Sequence, residues 1–170
     1  ANIAYHCDAA DIVGLLCLKS AKSGGKSRIV SSVSVFNQLV SQSPELAACL
    51  FDPVQLDIRS EGNKSGIKYI PITPCRFDGG VLRTFYHADY FRSVVRHAEI
   101  GQLSPDVQML YDEYEAIAAD PKYYVEMDLQ PGDIQFLSNH TMLHARTQYE
   151  DHRDPAQRRH LLRLWLSIMA

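Results

Sequence analysis

At 170 residues, 46% of them hydrophobic, the chain is long enough to bury one sizeable core and too apolar for a disordered segment. Its 17 basic residues against 20 acidic ones give a net charge of −3, and no basic stripe alternates with aromatics, which argues against nucleic acid as a partner. The four cysteines (Cys7, Cys17, Cys49, Cys75) lie far apart without a C-x-x-C pair and read as free thiols of a reducing compartment. No apolar run reaches membrane-spanning length and no signal peptide is visible, so the expectation is a cytoplasmic protein without membrane contact.

The chain opens on ANIAYH, with no initiator Met and a strand-like pattern already under way, which suggests a segment of a longer protein. DIVGLLCLKSA is an apolar run of strand length ended by Lys22-Ser23-Gly24-Gly25, and RIVSS reads as a short strand. Ser32 starts the helical pattern SVSVFNQLVSQ, and Pro44 opens a second short helix, PELAACLF. VQLDI and IKYIPITPC read as strands around the turn-rich RSEGNKSG, with Pro71 and Pro74 limiting the second to an edge or irregular strand. VLRTFYHADY begins as a strand. Ser104-Pro105 supplies an N-cap and a first-turn proline, and DVQMLYDEYEAIAAD then places Val107, Leu110, Tyr111, Tyr114 and Ile117 on one face. YYVEMDL, IQFLSN, TMLHART and HLLRLWLSI complete a strand-rich end. Many short strands with a few inserted helices predict a mainly-β sandwich or barrel rather than a βαβ array.

Four stretches carry candidate chemistry. In YHCDAAD, His6 and Asp8 are two apart, so on a strand both leave one face and can offer two ligands to a divalent metal, although H-x-D also arises often by chance. His140, His144 and His152 are possible third ligands; two histidines and a carboxylate form the facial triad of non-haem iron sites. Turn or surface polarity is the favoured reading of His140 and His152. In QRRHLLRLWLS, Arg159 and Arg163 share a face of an extended chain, either toward a bound carboxylate or toward solvent with Leu162, Leu164 and Leu166 inward; alternation does not choose. AKSGGKSRIV ends like a phosphate-binding loop, but Ser20 stands where the first glycine is needed, and a strand-like run follows instead of a helix.

Taken in order, HCDAAD, SGGKS, PGDIQFLSNHTMLH and RRHLLRLWL resemble the Fe(II)/2-oxoglutarate-dependent oxygenases of the taurine dioxygenase (TauD/TfdA) and clavaminate synthase-like family, over essentially the whole chain. The resemblance implies a double-stranded β-helix, or jelly roll, as one domain over residues 1–170, with helical insertions at about 32–51 and 104–120. It implies iron held by His6, Asp8 and His144, and 2-oxoglutarate held at its distal carboxylate by Ser27 and Arg159, with O2 as second co-substrate. Arg163 matches a position that touches an anionic substrate group. The implied reaction oxidises, most simply hydroxylates, an unactivated C–H bond of a small molecule and releases succinate and CO2. Leu137-Ser138-Asn139 departs from the aromatic-Asp-Asn of taurine dioxygenases, which speaks against taurine itself.

Members of the family carry a section before the H-x-D strand, so an exposed apolar surface or an unpaired strand edge is expected beside residues 1–20. The rival readings are a non-catalytic cupin-like binding protein and a nucleotide-binding phosphate loop; homo-oligomer formation is left open.

Overall fold

The computed structural model describes residues 2–59 and 66–168. The turn-rich RSEGNKSG segment lies mostly outside the described residues. The first strands are β1 (Ile3–His6), β2 (Ile12–Lys19), β3 (Ser23–Gly24) and β4 (Ser27–Ser31), followed by helices α1 (Ser32–Gln42) and α2 (Pro44–Ala48). Two hairpins come next, β5 (Val54–Asp57) with β6 (Tyr69–Ile72) and β7 (Cys75–Asp78) with β8 (Val81–Thr84). Helices α3 (Ala88–Ser93) and α4 (Pro105–Ala118) precede β9 (Tyr124–Met127), β10 (Ile134–Ser138), β11 (Met142–Arg146), β12 (Tyr149–Glu150) and β13 (His160–Leu166).

The local signals act as expected at the helix starts. Ser31 caps α1 through its hydroxyl, and Ser104 caps α4, with Pro105 in the first turn. Leu110, Tyr111, Tyr114 and Ile117 of α4 are buried. Helix α3 interrupts the segment that began as a strand at Val81.

Two antiparallel sheets face each other as a mainly-β jelly roll. One runs β1-β11-β4-β9 and the other β10-β2-β13. Period-two alternation divides the first sheet cleanly. Tyr5, Val30, Leu143 and Ala145 enter the hydrophobic core beneath α1 and α4, while His6, Ser27, His144 and Arg146 face the space between the sheets. The core includes Tyr86, Phe91, Tyr111 and Tyr114, all fully buried, with Tyr86 and Tyr114 ring centroids 4.3 Å apart. Each such ring contributes about 2–3 kcal/mol through burial.

Among the described residues the second sheet has no such cover on its outward side. Phe136 and Leu164 sit opposite Gly14 in register and are 62% and 60% exposed, and Ile134, Leu162 and Leu166 are exposed beside them. Phe136 leans over Gly14 so closely that a Cβ there would meet its ring at 2.9 Å. The expected apolar surface beside residues 1–20 is therefore present, on the outer face of β2 and its neighbours. Among the described residues no helix is long and apolar enough to cross a membrane.

Candidate active site

His6 ends β1 and pairs in register with His144 of β11, so the two imidazoles leave the same face of one sheet, with ring centroids 4.2 Å apart. Asp8 follows two residues later. Its Oδ2 lies 3.5 Å from His144 Nε2 and its Oδ1 4.0 Å from His6 Nε2. All three side chains are buried, and one ligand atom from each lies within 4.8 Å of the others. His6 Nδ1 donates to the Ala4 carbonyl at 2.8 Å, which leaves Nε2 as a lone pair directed at the cluster. Burial and the neighbouring His144 push the His6 pKa down to about 4, so the ring is neutral at physiological pH. Burial alone would raise the Asp8 pKa, but His144 and the charge of Arg163 outweigh it and hold the carboxyl below its ordinary value. Asn139 fixes this corner by accepting the Asp8 backbone N–H at 3.2 Å.

The cluster is electrostatically incomplete. Asp8 Oδ2 and His144 Nδ1 are buried and make no hydrogen bond among the described residues. A buried carboxylate oxygen left without a hydrogen bond, beside two imidazole nitrogens, is a place for a cation. Two nitrogens and one oxygen are the donor set that suits a divalent first-row metal, so these residues fit the implied iron.

The groups expected to meet an anion line one cleft of about 180 Å³ with the two histidines: His6, Ser27, His144, Arg146, Arg159 and Arg163 all border it. Gly24 and Gly25, at φ 70° and 73°, turn the chain into β4 and deliver Ser27 to it. A Cβ at Gly24 would sit 2.3 Å from the Gln148 carbonyl oxygen, which bars a side chain there, and one at Gly25 would sit 3.1 Å from Arg159 Nε and crowd that side chain. Ser27 opens a strand and the helix begins only at Ser32, which removes the phosphate-loop reading. Arg159 makes no side-chain hydrogen bond or ion pair among the described residues. Its guanidinium lies 5.2 Å from the Tyr149 ring centroid, and burial together with nearby Arg146 lowers its pKa.

The structure also chooses between the two faces that alternation left open for β13. Leu161 and Arg163 point into the cleft, and Leu162, Leu164 and Leu166 point outward. Arg163 Nη1 reaches Asp8 Oδ1 at 3.3 Å with its side chain 53% exposed, so it borders the cluster as well as the opening. His140 pairs with Asp11 at 2.7 Å and is not part of the cluster, and His152 is half-buried apart from it.

Two residues at or next to the cleft escaped the sequence reading, Arg146 in its lining and Gln135 behind Ser27. Arg146 is two residues beyond His144 and opposite Ser27, with its guanidinium 4.5 Å from the Tyr149 ring centroid; period two from His144 would have found it. Gln135 is the inward polar residue of the otherwise apolar IQFL and accepts a hydrogen bond from Ser27.

A jelly roll in which a buried His-x-Asp and a distant His converge presents the ligand set of mononuclear non-haem metal sites. Residues 2–165 match the family model described as taurine catabolism dioxygenase TauD, TfdA family, and the chain belongs to that family. It is 33% identical over 170 residues to FR-33289 synthase of Streptomyces rubellomurinus (strain ATCC 31215), covering 98% of this chain and 50% of the relative. It is 26% identical over 157 residues to a uridine-5'-phosphate dioxygenase of an Amycolatopsis species, covering 88% and 52%. The structure of asparagine oxygenase in complex with Fe(II), 2S,3S-3-hydroxyasparagine and succinate superposes with a TM-score of 0.73 at 19% identity, over 96% of this chain and 49% of that one. The chain thus spans about half the length of the curated relatives it matches.

Proposed function

We propose that this chain carries the catalytic jelly roll of an Fe(II)- and 2-oxoglutarate-dependent dioxygenase, which hydroxylates an unactivated C–H bond of a small molecule and releases succinate and CO2. The observation that supports this most is the convergence of His6, Asp8 and His144, two of which line the cleft that also holds Ser27 and Arg159. When bound, iron and 2-oxoglutarate together supply the activation of O2 and the oxidation of the C–H bond.

The protein's own groups prepare the site. The Ala4 carbonyl fixes the His6 tautomer, and burial keeps that ring neutral and able to ligate. Asp8 stays ionised, and its oxygen facing the imidazoles is available to a cation. Arg159 offers a planar fork to the distal carboxylate of 2-oxoglutarate, and Tyr149 supports the guanidinium from one side. Ser27 adds a hydroxyl at the same end of the cleft. Arg163, half-exposed beside Asp8, is placed to meet an anionic group of the substrate. An anionic substrate also accords with the uridine-5'-phosphate dioxygenase among the relatives. Free thiols at Cys7, Cys17, Cys49 and Cys75 support a cytoplasmic setting.

Succinate release measured against 2-oxoglutarate loss, with Fe(II) and O2 present, tests the activity. Equal amounts of the two, dependent on iron and abolished in His6→Ala, are expected. Metal and 2-oxoglutarate binding without succinate would indicate a binding protein instead.

A further inference from the structure

Strand β10 puts one polar side chain between the sheets. Gln135 is 7% exposed and pairs in register with Leu15, which in turn faces Arg163 on the next strand. Ser27 Oγ donates to Gln135 Oε1 at 2.8 Å, a bond that ties the two sheets together at the anion end of the cleft. The other amide atom, Nε2, is buried without a partner among the described residues.

A serine hydroxyl has one proton. Spent on Gln135 Oε1, it is not available to a carboxylate, and the amide N–H groups meanwhile have no acceptor, a costly arrangement for a buried donor. A half-turn of the amide exchanges its oxygen and nitrogen at the same position. Nε2 then donates to Ser27 Oγ, and the hydroxyl proton can point into the cleft. With no anion present, that arrangement makes one hydrogen bond, as the first does. With a carboxylate held by Arg159, it makes two hydrogen bonds where there was one.

We infer that Gln135 is a positioning residue for 2-oxoglutarate, acting through Ser27: its amide donates to the hydroxyl and thereby directs the hydroxyl proton to the distal carboxylate. The inference rests on the proposed 2-oxoglutarate site. It also makes the Ser27 contribution conditional on the residue at 135.

The test is a double-mutant cycle on 2-oxoglutarate affinity, measured by calorimetry on the Mn(II)-loaded full-length protein with O2 excluded. Gln135→Met keeps the length of the side chain and removes the amide. In the wild-type background it should weaken binding by about 3–10-fold, the range of one net hydrogen bond. In a Ser27→Ala background it should change binding by less than about twofold, because the group through which it acts is gone. Equal weakening in both backgrounds, or none in either, overturns the inference. Gln135→Asn, which keeps the amide but falls one methylene short, repeats the test if the methionine variant does not fold. An Arg159→Ala arm separates the two levels. If it binds as wild type does, or if the wild type does not bind at all, the 2-oxoglutarate site itself is wrong and the inference fails with it. If Arg159→Ala loses affinity while Gln135→Met and Ser27→Ala are additive, only the role of Gln135 fails.

Discussion

Two buried aspartates, each beside a histidine, are treated in opposite ways by this protein. Asp57, at the end of β5, is fully buried and saturated. Its carboxylate takes Arg96 Nε at 2.7 Å, Ser93 Oγ at 2.8 Å, the Arg59 backbone N–H at 2.9 Å and His97 Nε2 at 3.2 Å. Asp8 has Arg163 on one oxygen and two imidazole nitrogens beyond good hydrogen-bond length, with Oδ2 unsatisfied. Burial works against both carboxylates, and partners hold both pKa values below the ordinary range. The difference lies in who supplies the partners. Asp57 receives them from its own chain and clamps α3 and the turn after it to β5. Asp8 is left short by the protein, as suits a site completed by a ligand.

The contrast can be broken most severely at the incomplete cluster. His6→Ala should lower 2-oxoglutarate turnover by at least about 100-fold, more than the loss typical of partners outside the ligand set, while the melting temperature stays within a few degrees of wild type. Turnover that survives would remove the metal role of the cluster.

Asp57→Asn should show the reverse pattern. Breaking a buried, charge-paired carboxylate costs roughly 3–5 kcal/mol, and the half-exposed Arg96 points to the lower end. A melting temperature roughly 6–12 °C lower is expected, with metal binding intact. The depressed pKa of Asp57 gives this effect a pH signature. Its contribution is present above the unfolded carboxylate pKa, about 4, and is lost as the pH falls through the folded value. The gap between wild type and variant should therefore narrow in acid, and a gap that widens there would show the sign to be wrong.

A smaller effect is expected at the co-substrate end. Arg159→Ala should weaken 2-oxoglutarate binding by about tenfold or more, and Arg159→Lys should restore only part of it, because a point charge cannot replace the planar fork. Control of that affinity by Arg163 instead would exchange the roles of the two arginines. The smallest expected change is the unfolding free energy of metal-free Asp8→Asn. It should cost less than about 1 kcal/mol, since its nearest charged partner, Arg163, is half-exposed and both imidazole nitrogens lie at 3.5 Å or more. A loss as large as that of Asp57→Asn would erase the distinction between the two sites.

Much of this was legible because the relevant signals are local. The H-x-D spacing keeps His6 and Asp8 close even though β1 ends at His6, Gly24-Gly25 announces a turn, and Ser104-Pro105 announces α4. The face of β13 was not legible. Leu162, Leu164 and Leu166 are as apolar as core residues, yet the outer side of their sheet is bare among the described residues, so their apolarity points to the wrong face and alternation does not choose. Helix α3 was missed because His87, at its N-cap position, makes no side-chain capping hydrogen bond and the helix is six residues long. The saturation of Asp57 was beyond the sequence, because it gathers partners from residue 59 and from residues 93–97 across a tertiary contact.

The central claim is that His6, Asp8 and His144 form a metal site left incomplete by the protein, and metal stoichiometry tests it most directly. Calorimetric titration of Mn(II) into the metal-free protein, with O2 excluded, should give one ion per chain for the wild type and for Asp57→Asn, and no specific binding for His144→Ala. Equal binding by wild type and His144→Ala would contradict the account.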